Sequence, residues 1–360
     1  MLNISSLCSV FAKRRITSGL IPQLDNAGCY LVTILRDIVG TRAGKGVGAL
    51  QLSVLVPVLM RQSYLAASPN TRSIFLGLLA TTGVHLFAQF VGLGVSLATL
   101  GLVLLALGSS AQLLSGGPET SPVIPTPARA VYWSNFLVVL VSFAVGLQGA
   151  LSPWSSAWSI VAQVYIAYPV LLVLPLLFLA RLSTARTPRD PQEAHQELLK
   201  YSAEQVSYSF ERTWSYYRKV ALISAGFYWY GLNRILRGLY SQNEQLSGPV
   251  RYILLNYALA ALYCVLAVLI ERTTIRPVRA LHHPLTGKPR PQLVADCLKA
   301  ISLAPAGSPG MERGIWEPML TGIIAGPGAA AALWWSGEEE ENGWYSRRAW
   351  REAAATSKKQ

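Results

Sequence analysis

The chain has 360 residues, 52% hydrophobic and only 14% charged, with a formal net charge of +13 and a mean hydropathy of +0.35. A soluble globular domain carries about 25% charge, so this is not the composition of one. The apolar residues fall in separate blocks of roughly 20, the length that crosses about 30 Å of hydrocarbon. Lipid offers the backbone no hydrogen-bond partners, so such blocks are expected as helices, and no alternating strand pattern of a barrel is present. The basic residues cluster between the apolar blocks, where Lys and Arg hold loops in the cytoplasm. The positive charge is therefore read as topological, with no nucleic-acid partner.

In chain order, residues 1–45 form a basic cytoplasmic segment with Lys13, Arg14, Arg15, Arg36, Arg42 and Lys45. A surface helix is expected near 27–38. A transmembrane bundle follows over 46–335. Its first span, 46–60, is ended by Arg61. The uncharged run 73–118 is read as a single long or broken crossing, centred on 74–112, with Gly92 and Gly94 as kink points. Spans are then expected over 131–150 and 157–180, joined by Leu151-Ser152-Pro153-Trp154. A basic loop from Arg181 precedes spans at 214–235 and 250–270. The loop 271–313 carries Pro277, Pro284, Pro289 and Pro291, which exclude a regular helix. The seventh span, 316–335, contains Gly326-Pro327, where proline is expected to kink the helix. The tail 336–360 holds the acidic run Glu338–Glu341 and is expected to be charged and disordered. The fold class is thus an all-α, polytopic membrane helix bundle of about seven spans. Its three basic segments fall on the cytoplasmic side, with the C-terminus in the lumen.

Several chemistries are excluded by what is missing. Four aspartates stand far apart, so no aspartate-rich Mg²⁺–diphosphate motif exists, and neither a phosphate loop nor HExxH occurs. Cys8, Cys29, Cys264 and Cys297 show no CxxC or Cys/His cluster, so neither a disulfide framework nor a zinc site is suggested. No metal or cofactor is expected.

The fifth span carries the densest polar and aromatic pattern. At 100° per residue, Glu211, Arg218, Trp229 and Asn233 share one stripe of the helix. Read as a site, this is a pocket open to the cytoplasm, with Tyr217 and Tyr228 beside it. Read as structure, it is an interfacial aromatic belt with solvated charges. Asn256 lies inside the sixth span, where an amide must face other helices; it either holds helices together or binds substrate. His85 is the only histidine within a span and a candidate because intramembrane ionisable groups are commonly functional. Glu317, at the mouth of the seventh span, is a second carboxylate for the same pocket. Glu271, beside Arg272, reads as an interfacial ion pair.

The blocks Tyr216-Tyr217-Arg218…Phe227-Tyr228-Trp229-Tyr230-Gly231-Leu232 and Gly326-Pro327-Gly328-Ala329-Ala330, followed by Glu338–Glu341, resemble a group of fungal membrane proteins from secondary-metabolite clusters. The group includes the membrane terpene cyclases of ascofuranone and ascochlorin pathways and a membrane protein of indole-diterpene (paspaline-type) pathways. The resemblance covers the C-terminal half. It implies a metal-independent cyclase of the endoplasmic-reticulum membrane that acts on a prenylated aromatic or its epoxide. On that implication Glu211 or Glu317 is the acid, while Tyr217, Arg218, Tyr228, Trp229, Asn233, Asn256 and His85 line the substrate. The partners are then a lipophilic small molecule, membrane lipid and other enzymes of the pathway. Two other classes fit the composition: an exporter of a hydrophobic metabolite, and a non-catalytic scaffold for pathway enzymes.

Overall fold

The computed structural model describes residues 22–67, 74–103, 136, 155–166, 168–169, 199, 203–271 and 316–357. Their regular structure is entirely helical, with no strand among the described residues. The helices are α1 (Pro22–Gly40), α2 (Arg42–Ala67), α3 (Ile74–Val91), α4 (Leu93–Ser96, running into a π-helical turn Leu97–Gly101), α5 (Ser156–Ile166), α6 (Ala203–Leu236), α7 (Gly248–Ile270), α8 (Trp316–Ala325) and α9 (Pro327–Ser357). The span expected over 131–150 lies outside the described residues apart from the helical Phe136.

The bundle is built around α2. Val47, Ala49, Val54, Val58, Leu59 and Met60 are all buried. Its first turn is secured by the Thr41 hydroxyl, which accepts from Gly44 N–H at 2.9 Å. The Glu244 carboxylate adds acceptors for Ala43 N–H at 2.8 Å and Arg42 N–H at 3.2 Å. A carboxylate at a helix N-terminus satisfies orphan donors and opposes the helix dipole. Pro57 lies inside α2 and removes the donor that would pair with the Ser53 carbonyl. Gly328 of α9 comes against that carbonyl so closely that a Cβ there would collide with it. The buried run Ala329–Ala332 continues the close approach.

Helix directions follow from the contacts. Gly231 of α6 packs on Gly46 and Leu50, while Tyr217 meets Tyr64, so α6 runs antiparallel to α2. α7 runs parallel to α2, with Val250 beside Val47 at one end and Glu271 on Arg61 at the other. α9 is also parallel, from Gly328 at Ser53 to Glu338 at Arg61.

Two expected features are corrected by reversals of the chain. At Gly92 (φ 84°) the helix turns back, and the Ser96 hydroxyl donates to the Val84 carbonyl, twelve residues earlier, at 2.6 Å. Residues twelve apart in one straight helix are about 18 Å apart. The described part of the run read as one crossing, residues 74–103, therefore doubles back. At Gly326 (φ 92°) a Cβ on Gly322 of α8 would sit 4.0 Å from that of Ala330 in α9. Residues 316–335 are thus a helical hairpin, not a kinked span. Both turns need a left-handed backbone that glycine alone adopts cheaply.

The region past residue 335 is a further correction. It continues α9 to Ser357 and buries Ser336, Glu338 and Glu339, where a disordered tail was expected. Cys29 is disulfide-bonded, against the expectation from spacing, and Cys264 is free and buried. Among the described residues two helical stretches are long and apolar enough to cross a membrane, Arg42–Tyr64 and Gly248–Ile270. The first is a core element. The second turns Leu255, Leu262 and Val265 outward, and Leu222, Ile323 and Ile324 are likewise exposed on neighbouring helices. Exposed apolar side chains grouped in this way mark a surface that meets a membrane or a partner.

Candidate functional site: a buried guanidinium among three carboxyls

Arg61 lies near the end of α2, inside the bundle. Its Nη2 meets Glu338 Oε2 at 2.5 Å and Glu271 Oε1 at 3.2 Å, and its Nη1 lies 3.4 Å from Glu339 Oε1. All four side chains are buried: Arg61 is 5% exposed, Glu271 3%, Glu338 7% and Glu339 2%. Two of the remaining carboxyl oxygens are also used. Tyr64 O–H donates to Glu339 Oε2 at 2.7 Å, and Trp335 Nε1–H donates to Glu271 Oε2 at 2.7 Å. The guanidinium lies 5.6 Å from the centroid of Trp335. Tyr217 completes the wall, 6.2 Å from both Tyr64 and Trp335 ring centroids.

Three elements converge on this point for stated reasons. α2 runs parallel to α7 and α9, so the ends of all three meet. Glu271 is the first residue past α7. Glu338 and Glu339 reach inward because α9 does not stop at residue 335. With all groups ionised the site carries three negative charges against one positive. So little water reaches it that an uncompensated charge of this size is costly. The arrangement can therefore hold and give up a proton, or bind a donor or cation. Among the described residues no group of His, Cys, Asp and Glu has the geometry to hold a metal ion.

A second polar group adjoins the first through Gln62. His85 Nε2 lies 2.8 Å from Gln62 Oε1, and His85 Nδ1 lies 3.0 Å from Tyr168 O–H. An amide oxygen can only accept, so Nε2 carries the proton in the neutral ring and Nδ1 accepts from Tyr168. His85 is thus fully engaged within the core.

No family model, curated protein or solved structure matches this chain. The site is therefore read from its own geometry.

The residues singled out by sequence are not gathered into one pocket. Glu211, Arg218, Trp229 and Asn233 do share a face of α6, but it is the exposed one. The inward face is Thr213, Tyr217, Val220, Ser224, Phe227 and Gly231. Only Tyr217 of the α6 candidates belongs to the Arg61 site. Tyr228 packs on the Gly326 turn and donates to the Ile323 carbonyl at 3.1 Å. Asn256 secures the Gly92 turn: its Oδ1 accepts from Val95 N–H at 3.3 Å, and its Nδ2 donates to the Tyr252 carbonyl at 3.0 Å. Glu317 lies in the first turn of α8, and its side chain is outside the described residues.

Arg61, Glu271, Glu338 and Glu339 were not assigned to a site from sequence. Arg61 and Glu271 sit at the ends of apolar runs and read as interfacial. Glu338 and Glu339 were assigned to the tail. The usable signal was the absence of a proline anywhere between Gly328 and Gln360, which lets one helix carry the acids into the bundle.

Proposed function

We propose that this chain is a membrane-embedded, metal-independent cyclase that starts a carbocation cyclisation by protonating a prenylated aromatic or its epoxide. The observation that carries the reading is the buried site in which three carboxyls outnumber one guanidinium beneath Trp335, Tyr217 and Tyr64. An acid shielded from water is suited to protonating a weakly basic carbon or oxygen. Aromatic faces stabilise a cation as it forms, and dryness prevents early quenching. The resemblance to fungal pathway cyclases points the same way, with the acid moved from the exposed Glu211 to Glu271, Glu338 or Glu339.

The test uses microsomes containing only this chain, fed a farnesylated phenol bearing a terminal epoxide. The parent should form a cyclised isomer. Glu271→Gln, Glu338→Gln and Glu339→Gln each keep shape and remove the transferable proton, and the variant that removes the acid should lose about 10²–10⁴-fold in rate. Glu211→Gln should cyclise like the parent. If all three buried variants match the parent, the acid lies elsewhere.

Export of a hydrophobic metabolite is the second reading, favoured by one observation. Two helices reverse at glycines, Gly92 against Asn256 and Gly326 against Tyr228. Interrupted helices beside buried charge are a transporter feature. Unchanged substrate moving across the microsomal membrane would favour it.

The helix directions support one topology to accompany this proposal. Counting α2, the two arms about Gly92, the expected passes over 131–150 and 157–180, α6 and α7, seven passes lead to α8–α9 as a hairpin entering and leaving on the Arg61 side. That side receives the basic segments 181–213 and 271–313 and is the cytoplasm by the positive-inside rule, with the membrane that of the endoplasmic reticulum. The disulfide at Cys29 suits the opposite, oxidising side. A glycosylation tag after Gln360 should remain unmodified; its modification would reverse the assignment.

A further inference from the structure

The three carboxyls of the Arg61 site offer six oxygens, and five of them accept a hydrogen bond. Arg61 donates to Glu271 Oε1, Glu338 Oε2 and Glu339 Oε1, Trp335 Nε1–H donates to Glu271 Oε2, and Tyr64 O–H donates to Glu339 Oε2. The sixth is Glu338 Oε1, which no donor reaches among the described residues. Glu338 is also the most exposed of the three, at 7% against 3% for Glu271 and 2% for Glu339.

A proton on a carboxyl oxygen turns an acceptor into a donor. Both oxygens of Glu271 receive from groups that can only donate, a guanidinium and an indole, so a proton there would break a buried bond. At Glu339, Tyr64 would have to turn its hydroxyl away and find its hydrogen another acceptor. Each bond broken in this way disfavours that position by about tenfold or more. At Glu338 the proton goes to Oε1 while Oε2 still accepts from Arg61, and no bond is lost. Arg61 then stands between two anions, Glu271 and Glu339, in place of three. The other titratable side chains against it, Tyr64 and Tyr217, are phenols and add no charge.

We propose that Glu338 is the carboxyl of this site that takes up and gives up its proton, while Glu271 is a fixed anion that holds Arg61 and Trp335 in place. The role of Glu338 as the acid of cyclisation rests on the cyclase reading above; its role as the seat of the proton does not. On releasing the proton it becomes a carboxylate whose partner is already present, since Arg61 Nη2 lies 2.5 Å from Oε2. The cyclisation is an isomerisation, so the proton lost by the final cation restores the acid.

Infrared spectroscopy of the full chain in detergent reads the proton without any ligand. On acidification, the C=O stretch of a carboxyl shielded from water appears apart from the bands of surface carboxyls. Exchanging Glu for Asp keeps the charge and displaces the band only of the residue that carries the proton. Glu338→Asp should displace the first shielded band, and Glu271→Asp and Glu339→Asp should leave it where the parent has it. Displacement by either of those two, or no shielded band in the parent, overturns the proposal. Should Glu338→Asp not fold, a band unmoved by both of the others assigns it to Glu338. In microsomes Glu338→Gln should lose about 10²–10⁴-fold in cyclisation rate, and cyclisation at the parent rate would overturn its assignment as the acid. A band that maps to Glu338 in a parent chain that leaves the epoxide unchanged retains the proton site and removes the cyclase reading.

Discussion

Two arginines of this bundle are built from the same parts and meet different fates. Arg61 stands by an indole, Trp335, and pairs with Glu271, Glu338 and Glu339. Arg218 lies 4.1 Å from the ring centroid of Trp214 and 3.5 Å from a carboxyl oxygen of Glu340. Their acids are neighbours in sequence: Glu338 and Glu339 turn inward from α9, and Glu340 turns out. The first pair group is sealed in the core, whereas the Arg218 and Glu340 side chains are 53% and 59% exposed. An exposed ion pair contributes little because water already serves both charges. A buried one is decided by whether every charge keeps its partner. Position, not inventory, separates a site from a surface.

That contrast is broken or sharpened most strongly by removing each cation in turn. Arg61→Met leaves three buried carboxyls without their cation, a change that costs about 3–5 kcal/mol when a buried pair loses one member. The variant is expected to melt at a much lower temperature in detergent, or to fail to reach the membrane fraction. Raising proton concentration should partly restore it, because protonated carboxyls no longer need the guanidinium. Arg218→Met should change stability by less than about 1 kcal/mol. Fluorescence-detected size-exclusion melting of the pair gives the comparison directly. Equal losses for the two variants would mean that Arg61 is not sealed in the way described.

The same contrast explains what could be read before the structure and what could not. The apolar blocks announced helices, and α7 is helical over Gly248–Ile270, an apolar run of 23 residues in which nothing competes with a helix. The stripe Glu211–Arg218–Trp229–Asn233 was correctly placed on one face of α6. Its direction was not legible, because periodicity says which residues share a face and not which face meets the core. The opposite face, with Tyr217, Ser224 and Gly231, is small or aromatic and carries no charge to mark it. Gly92 was legible as a weak point, yet glycine in a helix signals a kink, a close contact or a turn alike. What decides for reversal is Asn256, more than 160 residues away. The Arg61 site was hidden for a similar reason: its four charges come from three helices and each looked terminal on its own. The extension of α9 to Ser357 was the missing link, since only a helix brings Glu338 and Glu339 back to Arg61.

The smaller test concerns the turns that set these helix directions. Gly92 is held at φ 84°, and a Cβ there would collide with the Asn256 side-chain amide. Gly92→Ala should therefore cost about 1–2 kcal/mol from the left-handed backbone alone, with the clash added. Gly83 lies in the same helical arm, α3, and has nothing within 4 Å of a Cβ position. Gly83→Ala should be neutral or stabilising by up to about 1 kcal/mol, as alanine in a helix limits the unfolded chain and favours the helical state. The two glycines thus differ in sign, and the cause can be divided further. Asn256→Ala removes the obstacle but also the acceptor for Val95 N–H. Combined with Gly92→Ala it should be less damaging than the sum of the singles, with a coupling of about 0.5–3 kcal/mol as for residues in contact. Strict additivity would leave the backbone as the whole cost and free Asn256 from any part in the turn. A coupling with Gly83→Ala, which touches neither, is expected to be near zero and serves as the reference for that measurement.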